Sequence, residues 1–200
     1  PDNLTYWRMN SRRMEAEIVR DSVLAVAGNL DDSHSGPDLA FTTGQVSHRR
    51  SVYFQHAYEK QMVFLTLFDV ASVHECYRRR DSIVPQQSLA LANSPLVLAQ
   101  SRLLAGAISQ SLVNSDQDTQ EVFVGRAFER VLCRPPTTAE ITTCINFLKK
   151  QTLRLKDPTS LERFTSDVQV SVKPAEEARQ RARESLLLVL FNHNEFITIR

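Results

Sequence analysis

The chain reads as a mainly α-helical protein, an irregular antiparallel helical bundle with long loops and at most one or two short strands. Three observations predict this. Helical apolar spacing recurs along most of the 200 residues, most clearly beyond position 85. Proline falls just inside helix starts, at Pro85 and Pro95, where its missing N–H costs nothing. Only one stretch, Arg50 to His56, alternates like a strand, and one short strand cannot build a sheet.

Residues 1–9 read as extended, with Trp7 as an anchor. A helix is expected over about 11–28, with Ile18, Val19, Ser22, Val23, Val26, Ala27 and Leu30 on its inner face. Arg13, Glu17, Arg20 and Leu24 fall on another face, where Glu17 and Arg20 are spaced to pair. Gly28-Asn29 stops it. Residues 31–48 form a long loop rich in Asp, Ser, Gly and Pro. Its Asp31, Asp32 and Asp38 lack the alternation and closing glutamate of a calcium loop. A short apolar helix follows over Glu59 to Phe68.

Helices are then expected at about 86–92 and 95–113, the second capped by Ser94. Asp116 or Asp118 caps the next, which runs to Leu132 with Val124, Ala127, Phe128 and Val131 inward. Arg134-Pro135-Pro136 breaks it. Thr137 and Glu140 form a capping box for a helix whose inner stripe holds Ile141, Cys144, Ile145, Leu148 and Leu155, antiparallel to the one before. A weaker helical segment is expected near 159–167, and Val168, Val170 and Val172 lie in a loop or extended stretch. The last helix covers about 175–192, and its Leu186–Phe191 end is apolar all round, so burial on every side is expected. His193 follows as a helix-capping or hydrogen-bonding residue.

With 24 basic and 23 acidic residues, evenly spread over the two halves, the chain lacks the footprint of a nucleic-acid binder. The longest apolar run is six residues, so no membrane insertion is expected. Phosphate-loop, haem-attachment, zinc-helix and serine-elbow motifs are absent, and no cofactor or metal is expected in this stretch. His56, His74 and Cys76 are ligand types at no zinc spacing. Cys76, Cys133 and Cys144 are expected as buried free thiols, with a Cys133–Cys144 pair left open.

Nineteen of the 24 basic residues are arginine. Guanidinium forks favour fixed, two-point pairs with carboxylates over a merely solvated surface. Arg78-Arg79-Arg80, running into Gln86 and Gln87, form the one candidate site, with Arg49 and Arg50 beside it. Two readings compete. In the first, these arginines clamp carboxylates of neighbouring helices, such as Glu15, Glu17, Asp21 or Asp69, and lock the fold. In the second, they line a cleft for an anionic ligand, such as an acidic or sulfated glycan, with a carboxylate or histidine as acid or base. No catalytic residue is assigned.

The run Arg79-Arg80 to Val84-Pro85-Gln86-Gln87-Ser88-Leu89-Ala90-Leu91, with Asn93-Ser94-Pro95, resembles a planctomycete-specific C-terminal domain of unknown function. So do Trp7-Arg8-Met9-Asn10 with Arg12-Arg13-Met14-Glu15-Ala16-Glu17, then Arg49-Arg50-Ser51-Val52-Tyr53, Leu132-Cys133-Arg134-Pro135-Pro136-Thr137, and Leu190-Phe191-Asn192-His193-Asn194-Glu195-Phe196. Cys133 stands where that family has glycine. Length and the helical reading give a single helical domain over 1–200, with a helical subdomain at 114–200. The resemblance implies that it forms the C-terminal part of a larger family domain whose upstream helical portion is missing here. It also implies an exported, periplasmic or cell-surface protein with a cytochrome-c-like domain elsewhere. The other domains of that parent would be its partners, and its oligomeric state is left open. The family brings no established activity.

Overall fold

A computed structural model describes residues 9–74, 79, 82–157, 159 and 170–199. Among these, seven α-helices and one two-stranded antiparallel sheet make up the regular structure, so the chain is mainly α. The helices are α1 (Ala16–Val26), α2 (Val63–Leu67), α3 (Pro85–Asn93), α4 (Pro95–Asn114), α5 (Gln120–Leu132), α6 (Thr138–Leu155) and α7 (Ala178–Phe191). The strands are β1 (Arg12–Arg13) and β2 (Thr198–Ile199), with Arg12 opposite Ile199 and Arg13 opposite Thr198. Trp7, Cys76, Arg78, Arg80, Val168 and, beyond Thr159, the helix expected near 159–167 lie outside the described residues.

Helix α1 starts at Ala16, later than expected, because Arg12 to Met14 are drawn into the β1–β2 ladder; Met14 N donates to Ile197 O at 2.8 Å. It ends where Gly28 takes φ +77°, a left-handed conformation that glycine adopts without a Cβ clash. Its buried stripe is Ala16, Val19, Arg20, Val23 and Leu24, spaced i, i+3, i+4, i+7, i+8. This corrects the expected inner face. Arg20 and Leu24 are inside, and Ile18 is 40% exposed.

The 50–56 stretch is not a strand. Ser51–Tyr53 forms a single 3-10 turn, and only an isolated bridge ties Phe54 to Leu39. Without a neighbouring strand the alternating side chains had no ladder to join. Likewise α2 begins only at Val63, because Ala57 and Lys60 close a tight turn ahead of it.

Pro85 and Pro95 open α3 and α4 as expected, and Ser94, in extended conformation, separates the two. Ser94 does not cap α4 with its own hydroxyl. It donates to Gln45 Oε1 at 2.9 Å, and that same oxygen accepts from Leu96 N at 3.4 Å, so a distant glutamine caps the helix. Thr119, not Asp116 or Asp118, caps α5 by accepting from Val122 N at 3.3 Å. The capping box of α6 is complete: Glu140 N donates to Thr137 Oγ1, and Thr137 N donates to Glu140 Oε2 at 2.7 Å.

Helix α7 is the hub, packing on α4, α6, α5 and α3. Leu186, Leu187, Leu190 and Phe191 join one continuous apolar core with Leu104, Ile108, Phe123, Phe128 and Leu148. The end of α7 is not buried all round, since Val189 is 53% exposed while Leu186, Leu187, Leu190 and Phe191 are buried. Beyond it, Phe196 meets Phe191 edge-on with ring centres 5.1 Å apart. This turn delivers β2 to β1. Cys133 and Cys144 are free thiols, Cys133 exposed rather than buried because it sits in the turn after α5.

Candidate functional site

A cleft of about 400 Å³ opens between α1 and the 50–56 turn. Glu15, Glu17 and Asp21 enter it from one side of α1, Arg50 and His56 from the turn, and Arg79 from the segment ahead of α3. Its floor is apolar, built by Phe54, Met62 and Leu65. A second hollow of about 340 Å³ lies on the other side of Arg79, with Asp69, His74 and Tyr58 in its wall.

Arg79 is the shared residue. Its Nη1 lies 2.5 Å from Glu17 Oε2, and its Nη2 lies 3.7 Å from Glu15 Oε2. The Glu17 hydrogen bond raises the Arg79 pKa, with the charges of Glu17 and Glu15 adding to it against a smaller burial effect. Three residues on, Ser82 donates through N and Oγ to Asp69 at 2.8–2.9 Å. The Ser82 carbonyl accepts from Arg13 Nη1 at 3.0 Å and from Gln87 Nε2 at 3.2 Å. The segment before α3 is thus stitched to α1, α2 and the start of the chain. Asp69 reaches Ser82 from a left-handed backbone, φ +59°.

Arg50 is 48% exposed, and its Nε stands 4.0 Å from Asp21 Oδ2. Asp21 is chiefly engaged elsewhere, accepting from Ser51 N at 2.8 Å and Ser51 Oγ at 2.6 Å. Arg49 points away from the cleft. Its guanidinium donates to the carbonyls of Ser33 and Ser35, at 3.1 and 2.6 Å, and stacks 4.2 Å over the Tyr53 ring. Gln87 is buried and donates also to Leu67 O at 3.0 Å, while Gln86 faces solvent. The predicted set therefore divides. Glu15, Glu17, Arg50 and Arg79 share one cleft; Arg49, Gln86 and Gln87 do not line it; Arg78 and Arg80 lie outside the described residues.

Sequence reasoning missed the most deeply buried charge among the described residues, Arg20. Instead of pairing with Glu17, its guanidinium donates to Gly44 O at 3.1 Å, Arg49 O at 2.9 Å, Ser47 O at 2.5 Å and Ser51 Oγ at 3.3 Å. Asp21 Oδ1 lies 3.5 Å away, and Phe54 covers the guanidinium at 4.8 Å. Burial lowers its pKa to about 10, partly offset by Asp21, so it is fully charged at neutral pH. Two more arginine hubs were unforeseen. Arg183 of α7 donates to Ser109 Oγ at 2.8 Å and to Asp118, pulling the Asp118 carboxyl below its usual range. Arg134 holds Glu140 through two nitrogens, at 3.0 and 2.7 Å, and Glu195 through Nε at 2.7 Å. The arginine-rich composition was the one signal for such hubs; apart from Glu140, six residues from Arg134, their partners lie too far along the chain to be read from spacing.

The described cleft side chains include three carboxylates against two guanidiniums. No group of three or more His, Cys, Asp or Glu side chains among the described residues is arranged to hold a metal ion. A family model described as PSD1, protein of unknown function (DUF1553), matches residues 1–148. No curated protein and no solved structure matches the chain.

Proposed function

Because the chain belongs to the PSD1 family of proteins of unknown function, we propose that it is a non-catalytic structural or interaction module of a larger exported, multidomain protein. One observation carries this reading: Arg79 is bound to Glu17 of α1 and to Glu15 just ahead of it, so among the described residues the cation best placed to greet an anion already has acceptors. Arg49 is likewise held by its own loop's carbonyls. A surplus of carboxylates in the cleft makes it a poor host for an acidic or sulfated glycan, since an anion there meets like charge at close range. The resemblance of the arginine and Pro-Gln-Gln motifs supports a planctomycete parent with a cytochrome-c-like domain, placed in the periplasm or at the cell surface. Its other domains would be this module's partners, with no nucleic acid and no cofactor of its own.

The test is thermal melting with and without sulfated and uronate oligosaccharides. No ligand-dependent rise in Tm is expected, and Arg79→Ala lowers Tm without any ligand. A saturable rise that Arg50→Ala and Arg79→Ala both remove would establish the anion site instead.

A further inference from the structure

Residues 170–177 lead into α7 without regular secondary structure and touch both α4 and α7. No side chain there is fully buried: Val170, Val172 and Ala175 are partly covered and the rest face solvent. By contrast, the turn after α7 plugs Phe196 and Ile197 into the core. Among the described residues, two hydrogen bonds hold 170–176 in place. Arg102 of α4 donates through Nη1 to Val172 O, and Ala175 N donates to Glu184 Oε1 of α7 at 3.0 Å. Pro174, between them, has no N–H to offer. The stretch is a strap whose catch is one cation and one carboxylate.

That catch is costly to close. Glu184 is 8% exposed, and its carboxylate, which has room for about four hydrogen bonds, receives the Ala175 N–H. Arg102 is the one charged side chain of α4. The two attract each other, yet at both of them burial outweighs the attraction, lowering the Arg102 pKa and raising that of Glu184. The other charge acting on them is Arg181 of α7, which attracts Glu184 and repels Arg102. Lys173, Glu176 and Glu177 of the strap point to solvent. The strap lies against both buried charges, so its closure deepens a desolvation that their pairing does not repay. Segments with few buried apolar contacts open first, below the cost of global unfolding.

We propose that residues 170–176 are a proton-linked strap, which opens locally from α4 and α7 while the helical core stays folded. This goes beyond the reading of the chain as a structural or interaction module and does not depend on it. Opening returns Glu184 to water and to its ordinary range. The closed strap then binds more protons than the open one over the interval between the two values. Closure is favoured below about 4.5, the solvated value, and weakens as pH rises through the closed-state value. A protonated Glu184 keeps a carbonyl oxygen for the Ala175 N–H.

The test is native-state amide hydrogen exchange on the whole chain, followed by NMR at pH 4 and pH 7 and corrected for intrinsic rates. Ala175 is compared with Leu104 and Leu187, which are fully buried in α4 and α7. Ala175 is expected to be protected, less than either leucine, and less at pH 7 than at pH 4. Low urea should leave its protection unchanged while that of Leu187 falls steadily, because a local opening exposes little surface. Glu184→Gln should raise Ala175 protection at pH 7 and remove its pH dependence. Arg102→Met should lower it about tenfold, the loss of one hydrogen bond from a charged donor. Ala175 sharing the protection and urea slope of Leu187 overturns the proposal, since only global unfolding would then release it. So does an unprotected Ala175 at both pH values, an unaltered pH dependence in Glu184→Gln, or indifference to Arg102→Met.

Discussion

Arg79 Nη1 and Glu17 Oε2 lie 2.5 Å apart, although 62 residues separate them in the chain. This contact and the Ser82–Asp69 pair fix the segment ahead of α3 against α1 and α2. Both side chains of the ion pair remain partly exposed, which limits its strength through solvent screening. Arg79→Ala is expected to cost about 0.5–1 kcal/mol, and Glu17→Gln the same or less. A double-mutant cycle read by urea unfolding should return a coupling within that range. A coupling indistinguishable from zero would remove Arg79 as a clamp.

Arg20 is expected to matter far more. It is fully buried and donates to three backbone carbonyls of the 44–49 stretch that have no helix or sheet to satisfy them there. Arg20→Met removes the charge but leaves those acceptors buried and unpaired. The expected loss is about 3–5 kcal/mol. In a chain of this size that lowers Tm by roughly 8–15 °C. Arg20→Lys should rescue less than half, because one ammonium cannot span carbonyls that a planar fork reaches from both ends. Full rescue by lysine would show that charge alone, not geometry, holds the loop.

How much of this was legible follows from the range of each signal. The Thr137–Glu140 box and the prolines at 85 and 95 act within one helical turn, so the sequence locates them. Glu15 and Glu17 were named as acceptors for the central arginines, and Arg79 lies against both; chemistry limited the choice to a few carboxylates. Arg20 was placed away from the Val19–Val23 face and read as a partner for Glu17, because local spacing shows only near neighbours. Its reach to carbonyls 24 to 29 residues away is invisible to any local pattern. The Arg50–His56 alternation failed for the converse reason, since a strand needs a neighbour and local spacing does not supply one.

Cys133 provides a test with the opposite sign. It ends α5 at φ +55°, ψ +28°, the left-handed position that glycine occupies most easily. Its side chain is exposed, so no packing is lost on removing it. Cys133→Gly is expected to stabilise the chain by about 0.5–1 kcal/mol, the relief of left-handed strain less the added freedom of the unfolded chain. Cys133→Ala should not, since alanine keeps the Cβ. Differential scanning calorimetry under reducing conditions separates the two; equal Tm values for both variants would leave the strain argument without support.

The two glutamates Glu140 and Glu184 should give the stability profile opposite slopes at acid pH. Glu140 is held by Arg134, Thr137 N and Thr137 Oγ1, which lower its pKa from 4.5 to about 2. A carboxyl depressed on folding contributes stability above its unfolded pKa, and that contribution fades as pH falls from about 4.5 to about 2. Glu140→Gln should therefore lower Tm at pH 6 and converge on the parent at pH 2. Glu184 is the reverse case. Burial raises its pKa, only partly offset by the Ala175 N–H it accepts at 3.0 Å and by the charges of Arg102 and Arg181. The folded state then binds more protons than the unfolded one over the interval between the two values. Stability from Glu184 is thus present below the unfolded pKa and lost as pH rises through the folded one. Glu184→Gln keeps an acceptor for Ala175 without a charge to desolvate. Its Tm should match or exceed the parent's at pH 7, with the difference shrinking toward low pH. A Glu184→Gln variant that is less stable at pH 7 than at pH 3, relative to the parent, would show that attraction to Arg102 and Arg181 outweighs burial.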